Sequence, residues 1–202
     1  MALELRGVSK RYRPNAPFVV DQLNLSLPDG SLATIHGANG CGKSTLLRLT
    51  GEFLRLTSGR LNGLPAKFGY LPDRALPPAR MTAQDYLSHL ARLAGSPGAA
   101  KTGLELTERL GLSPGPSARL GTLSRGNLQK LLLAQALMRP VSLAILDEPL
   151  TGLDAAASAT LHTLIAERLA DGCAFLVATH EADLDDLGEV YLLSDGHLSR
   201  SA

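Results

Sequence analysis

The sequence predicts an α/β fold: a parallel sheet flanked by helices, with an antiparallel β region before it and an all-helical lobe inserted into it. Three observations support this prediction. Apolar residues alternate near the N-terminus, apolar residues recur at helical spacing in the middle of the chain, and short apolar strands alternate with helices after residue 140. The last pattern is typical of a parallel sheet, because parallel strands need crossover connections that are usually helices.

Local signals place the individual elements along the chain. Apolar alternation over residues 3–27, followed by the turn residues Pro28, Asp29 and Gly30, predicts antiparallel strands. Thr82 and Asp85 are spaced like a capping box at a helix start. The other predicted elements are a strand over 32–35, helices over 44–53, 82–93, 101–110 and 128–137, a strand over 141–146, a helix over 155–169, and strands over 175–178 and 190–193.

No repeat and no long linker divides the sequence. We therefore expect one domain over residues 1–202, which is long enough to bury a core of its own. Three prolines at positions 72, 77 and 78 mark the entry to the helical part. The expected core lobe comprises residues 1–73 and 140–202, and the expected helical lobe comprises residues 74–139.

Composition argues against several classes of protein. A net charge of +1 provides no field that would attract nucleic acid or an anionic membrane. The longest apolar runs fall well short of the ~18 to 20 residues that span a bilayer, and the N-terminus lacks the pattern of a signal peptide. Cys41 and Cys173 show no sign of pairing. We expect a cytoplasmic protein without a nucleic-acid partner.

A glycine-rich segment lies between the predicted strand over 32–35 and the helix that follows. Residues 37–45 read GANGCGKST and match the pattern G-x-x-x-x-G-K-[S/T] at every fixed position. In such a loop, backbone N–H groups and the helix N-terminus surround phosphate, the lysine reaches the terminal phosphates and the serine can bind magnesium. The predicted nucleoside-triphosphate site comprises Gly37, Ala38, Asn39, Gly40, Cys41, Gly42, Lys43, Ser44 and Thr45.

Two adjacent acids, Asp147 and Glu148, end the apolar strand over 141–146. Taken alone, such a pair is as consistent with a structural role, as a helix N-cap or in a solvated turn, as it is with a functional one. A phosphate-binding loop, however, needs an acid at the carboxyl end of a neighbouring parallel strand to hold magnesium through water, and Asp147 is so placed. Glu148 points differently and can polarise the attacking water.

These two segments and four others resemble the motifs of the ATP-binding cassette family and occur in the same order. The family comprises the nucleotide-binding subunits of ABC transporters. Residues 123–127, LSRGN, resemble the family signature LSGGQ, and residues 150–154, LTGLD, follow the two acids as the family's D-loop does. Tyr12 matches the aromatic residue that stacks on adenine, and His180 matches the switch histidine. The resemblance covers nearly the whole chain and implies a P-loop NTPase core with a helical lobe that carries the signature.

The resemblance also implies roles for individual residues. Lys43, Glu148 and His180 are expected to act in catalysis, the last by contacting the γ-phosphate. Ser124 and Gly126 are expected to contact ATP bound to a second subunit. The family's D-loop aspartate, here Asp154, is expected to reach across the same dimer interface.

The sequence departs from the family's motifs at three positions. Asp73 stands where the family has a glutamine that senses magnesium; an aspartate can still bind the metal, so the expected magnesium ligands are Ser44, Asp73 and Asp147. Arg125 and Asn127 replace a glycine and a glutamine of the signature. We expect Arg125 to point away from the backbone donors and activity to survive. The variant signature and the YLPD segment resemble small exporter-type cassettes and favour export.

The leading hypothesis is an ATPase subunit of an ABC transporter, with ATP and Mg²⁺ as ligands. Two copies, as a homodimer, would close head to tail on ATP and drive a separate membrane permease from the cytoplasmic face of the membrane. Two alternatives remain open from the sequence: a soluble non-transport ABC ATPase, and a regulatory cassette that binds ATP with little turnover. A chromosome-maintenance ATPase would need a long coiled coil between Lys43 and Asp147, and no sustained heptads occur there.

Overall fold

The structure, a computed structural model, describes residues 3–201. The strands are β1 (Leu3–Lys10), β2 (Val20–Leu27), β3 (Leu32–His36), β4 (Ser58–Asn62), β5 (Gly69–Leu71), β6 (Leu143–Asp147), β7 (Ala174–Ala178), β8 (Glu189–Ser194) and β9 (His197–Arg200). The α-helices are α1 (Lys43–Thr50), α2 (Ala83–Leu93), α3 (Ala99–Arg109), α4 (Arg125–Leu137) and α5 (Ala155–Ala170). Single 3₁₀ turns occur at Leu120–Thr122 and Asp185–Leu187.

Within residues 3–201 the strands form two sheets. The larger has six strands in the order β5-β6-β7-β3-β8-β9, all parallel except the last pair. The smaller has three antiparallel strands in the order β2-β1-β4. This arrangement confirms the predicted α/β fold with an antiparallel N-terminal region.

The core lies on both faces of the larger sheet. Every residue of β6 and β7 is buried, as expected for parallel strands covered on both sides. Along β7, Phe175 and Val177 pack with α4 and α5, whereas Leu176 and Ala178 pack with α1 and the smaller sheet. The sheet therefore lies between two apolar layers and holds its strand ends rigidly.

Strand register brings the predicted functional segments to one edge of the larger sheet. Asp147 pairs with Ala178 across β6 and β7, and Ala178 pairs with Ile35 across β7 and β3. The carboxyl ends of the three strands therefore lie level. The expectation that β3 and β6 are neighbours is wrong, because β7 lies between them.

The segment between β5 and β6 contains α2, α3 and α4, which pack around an apolar cluster of their own. Thr82 caps α2, as predicted: its hydroxyl accepts a hydrogen bond from the Asp85 backbone N–H at 3.1 Å and donates one to the Asp85 carboxylate at 2.7 Å. No helix within residues 3–201 is long and apolar enough to cross a membrane.

The element boundaries differ from the predictions at several places. Helix α4 starts at Arg125 rather than at 128, because the Ser124 hydroxyl accepts a hydrogen bond from the Asn127 N–H and caps the helix. Helix α1 ends at Thr50 rather than at 53. The predicted strand over 190–193 is not the last one, since β9 returns antiparallel to β8, and strands β4 and β5 were not predicted.

Candidate nucleotide-binding site

The glycine-rich loop connects β3 to α1, as predicted. Two of its glycines are required by the backbone: Gly37 has φ +151° and Gly42 has φ +114°. A Cβ at Gly37 would collide with the Leu193 carbonyl oxygen, and one at Gly42 would lie 2.8 Å from the Val19 carbonyl oxygen. The loop therefore combines positive φ angles with close approach of neighbouring backbone, which only glycine permits without strain.

Lys43 begins α1 and is almost completely buried, at 6% exposure. Its Nζ donates to the Gly37 carbonyl oxygen at 2.7 Å and lies 3.7 Å from Oε1 of Glu148. The ammonium group is thus held over the loop, between the loop backbone and the acid that follows β6.

Asp147 ends β6 and is only 2% exposed. Burial raises the pKa of its carboxyl above the ordinary value. A hydrogen bond with the Ser44 side chain lowers this pKa, the negative charges of Asp73 and Glu148 raise it, and the positive charge of Lys43 lowers it. Its Oδ1 is buried and has no hydrogen-bond partner within residues 3–201. An orphaned carboxylate oxygen beside a serine hydroxyl has the donor chemistry that suits Mg²⁺.

Glu148 follows directly, with its side chain 16% exposed. Its Oε2 lies 2.8 Å from Nδ1 of His180, which follows β7 and is more exposed. Glu148 is therefore held from two sides, by Lys43 and by His180. The structure thus brings together the three residues expected to act in catalysis.

A cleft of about 610 Å³ lies over the loop. At one side, the Tyr12 hydroxyl lies 3.1 Å from Oγ1 of Thr45. Four residues predicted for this site do not line the cleft: Gly37, Cys41, Asp147 and His180. Cys41 packs against the apolar core instead. The lining comprises Tyr12, Val19, Ala38, Asn39, Gly40, Gly42, Lys43, Ser44, Thr45, Asp73, Arg74 and Glu148.

Val19 and Arg74 were not predicted as site residues. Arg74 directly follows the predicted site residue Asp73, and this adjacency could have indicated it from the sequence. In the structure its Nε lies 3.6 Å from the Asp73 carboxylate. Val19 offers no such signal, since the smaller sheet brings it over the loop only in the folded chain. Arg125 lines a second cleft, which shares Asp73, Arg74 and Glu148 with the first.

The structure does not bring Ser124, Gly126 or Asp154 to this cleft. Ser124 caps α4, and Asp154 caps α5 by accepting from the Ala157 N–H at 2.9 Å. The other carboxylate oxygen of Asp154 accepts a 2.7 Å hydrogen bond from Lys130. Within one chain Ser124 and Asp154 cap helices, and none of the three residues lines the cleft over the phosphate loop.

A family model described as ABC transporter matches residues 20–151 of this chain. The chain belongs to the ABC transporter family. It is 31% identical over 193 residues to a zinc import ATP-binding protein from Saccharophagus degradans, an alignment that covers 90% of this chain and 71% of that protein. It is 33% identical over 197 residues to an aliphatic sulfonates import ATP-binding protein from Paracoccus denitrificans, covering 96% and 75% of the two chains.

Solved structures of ABC cassettes share the fold. An ATP-binding subunit of an ABC transporter superimposes with a TM-score of 0.89 at 23% identity, over 100% of this chain and 90% of that one. A dimeric bacterial ABC transporter cassette gives a TM-score of 0.84 at 22% identity, over 98% and 97%. The family and the fold together identify this ABC protein as an ATP-binding subunit with ATPase activity.

Proposed function

We propose that two copies of this chain close head to tail on two ATP molecules and that hydrolysis reopens them. One observation carries this proposal: the signature residues Ser124 and Gly126 start a helix that lies outside the chain's own ATP cleft. A helix N-terminus favours an anion. The start of α4 therefore suits the phosphates of ATP held by a second copy, and Asp154 would lie at the same interface.

Within each site, the residues take separate roles. The loop over 37–45 binds the phosphates, Lys43 holds the terminal phosphates, and Tyr12 stacks on adenine. Glu148 acts as the general base that orients the attacking water. His180 keeps the Glu148 carboxylate in place and contacts the γ-phosphate.

We also propose that Ser44 and Asp147 hold Mg²⁺, with Asp73 close to it. The buried Oδ1 of Asp147, which has no hydrogen-bond partner among residues 3–201, supports this assignment. When bound, Mg²⁺ neutralises charge that develops on the phosphates. A site with few protein ligands is expected, because Mg²⁺ is usually bound by one or two carboxylates together with substrate phosphates.

The partner proposed for this ATPase is a membrane permease on a separate chain, with the dimer docked on the cytoplasmic face of the membrane. The two curated relatives named above are import subunits, whereas the LSRGN and YLPD segments resemble export cassettes. Three short helices of 11, 11 and 13 residues form the helical lobe, which suits the transmission of motion rather than a coiled-coil arm.

Glu148→Gln tests the proposed mechanism directly. The amide cannot accept the proton of water, so we expect ATP turnover to fall by at least about a hundredfold while ATP still binds. The variant should then accumulate as an ATP-stabilised dimer, measured by size-exclusion chromatography with light scattering. Glu108→Gln, an exposed change of the same kind on α3, is the control. Wild-type turnover in Glu148→Gln would remove Glu148 from the mechanism.

Purification from membranes tests the permease partner. We expect the tagged chain to sediment with membranes and to be released by detergent together with a polytopic protein, identified by mass spectrometry. Recovery of the chain from the supernatant alone, with no polytopic protein bound, would contradict the transport role and leave the ATPase role intact.

A further inference from the structure

Glu148 has an unusual backbone conformation. Its φ is +50°, in the left-handed region that non-glycine residues rarely occupy. Such a conformation has a free-energy cost and persists only where surrounding contacts hold it. Its N–H donates to the Ala178 carbonyl oxygen at 2.8 Å, which ties it to the end of β7.

The carbonyl side of this turn is held by a side chain. Nε2 of Gln129 donates to the carbonyl oxygens of Glu148 and Pro149, both at 3.1 Å. Proline has no N–H, so residue 149 contributes acceptors but no donor to the turn. The two hydrogens of one amide group match two carbonyl acceptors. Gln129 thus pairs the backbone oxygens of the proposed general base and of the residue after it, and the Glu148 oxygen also accepts the Thr151 N–H at 3.3 Å.

Gln129 lies on a surface of α4 that contacts the loop over 148–154 along its length. Three residues before it, Gly126 packs so closely on the Gly152 carbonyl oxygen that no Cβ would fit. The next residue, Lys130, is buried and binds the Asp154 carboxylate at 2.7 Å. The first turns of α4 therefore contact the loop at its start, middle and end.

We propose that Gln129 is a positioning residue for ATP hydrolysis. Its amide keeps the Glu148 backbone in the left-handed conformation that places the carboxylate between Lys43 and His180, beside the phosphate loop. This inference rests on the proposed role of Glu148 as the general base. It also links the signature helix mechanically to the hydrolytic site of the same chain.

A positioning role predicts a specific kinetic effect. A small displacement of a catalytic group lowers the rate of the chemical step far more than it weakens substrate binding. Gln129→Met keeps the length of the side chain and removes both donors. We expect kcat to fall about tenfold while KM for ATP changes by less than about twofold.

Two further variants make the experiment specific. Gln129→Lys restores donors at nearly the same reach, and we expect it to recover at least part of the lost kcat. Gln135→Met is the matched control, since Gln135 lies on the same helix and accepts its hydrogen bond from the Tyr86 hydroxyl, away from the loop. We expect its kcat to stay within about twofold of wild type. Thermal midpoints are measured for all variants.

The outcomes separate this inference from the proposed function. A selective loss of kcat in Gln129→Met, with recovery in Gln129→Lys, supports it. Wild-type kcat in Gln129→Met, or a loss that Gln135→Met reproduces, overturns it. If Glu148→Gln abolishes turnover and Gln129→Met does not lower it, only the positioning role fails. If Glu148→Gln itself keeps turnover, the proposed mechanism fails.

Discussion

At the scale of single residues, Asp147 combines near-complete burial with a carboxylate oxygen that has no partner within residues 3–201. Burial raises the pKa of its carboxyl, and two neighbouring acids raise it further. Both facts indicate that the ionised side chain destabilises the nucleotide-free fold. Sites that must bind a ligand commonly carry such a cost, because the groups that suit the ligand are poorly satisfied without it.

Asp147→Asn should therefore stabilise the nucleotide-free chain at neutral pH, by about 1 kcal/mol, because the amide removes the buried charge. The same variant should lose the increase in thermal midpoint that Mg²⁺ and ATP give the wild type. Thermal unfolding with and without Mg²⁺-ATP measures both effects. Asp183→Asn, an exposed change of the same kind, is the control. An Asn variant less stable than wild type without nucleotide would contradict the argument.

The pH dependence of this difference has a defined sign. Because the pKa of Asp147 is raised in the folded state, the folded chain binds the proton more tightly than the unfolded chain. The destabilisation is complete above the raised pKa and disappears as the pH falls toward the unfolded value, roughly 3.9. The free energies of unfolding of wild type and Asp147→Asn, measured with urea, should thus converge as the pH falls. A difference in free energy that grows as the pH falls would show that folding lowers the pKa of Asp147.

At the scale of elements, the predictions succeeded where the pattern was strong and local. Helix α2 has apolar residues at helical spacing and Thr82 as its N-cap, and strands β6 and β7 are continuous apolar runs. Strand β4 is exposed at four residues and half-buried at one, so its sequence carries no apolar alternation to recognise. The start of α4 was missed because Ser124, Arg125 and Gly126 are equally typical of a turn.

The cap of α2 gives a prediction at this scale. Thr82→Ala removes the acceptor for the Asp85 N–H and should lower the free energy of unfolding by about 1 kcal/mol. Thr82→Ser keeps the hydroxyl and should keep most of that stability. Urea denaturation compares the three chains. Equal stability of the Ala and Ser variants would show that the cap contributes nothing. ATP turnover should stay unchanged in both, since Thr82 does not line the cleft.

At the scale of the whole molecule, the proposed core and helical lobes contact each other through charged pairs as well as apolar packing. Arg109 on α3 binds Glu167 on α5 through two hydrogen bonds, at 3.0 and 2.9 Å. Lys130 on α4 binds Asp154 at the start of α5. We propose that residues 74–139 form one lobe and residues 1–73 and 140–202 the other, joined at this interface by the two pairs.

A mixing experiment tests the composite site. Lys43→Ala disables the phosphate loop and Ser124→Arg disables the signature, so each variant alone should be inactive. In a head-to-tail mixed dimer, one site combines both defects and the other has neither. A 1:1 mixture should therefore recover turnover toward about one quarter of wild type, since half the dimers are mixed and each has one intact site. No recovery, although mixed dimers form in a two-tag pull-down, would exclude sites shared between subunits.

Sequence alone determined the family, the phosphate loop and the order of the functional segments, because each depends on residue types at short fixed spacings. Tertiary structure decided which of these residues meet. Strand register set Asp147 level with the end of β3, and folding brought His180 to Glu148 across 32 positions of sequence. It also placed Gln129 on the backbone of Glu148 and left Ser124 and Gly126 outside their own cleft. Such contacts depend on the packing of distant elements, which no local pattern in the sequence records.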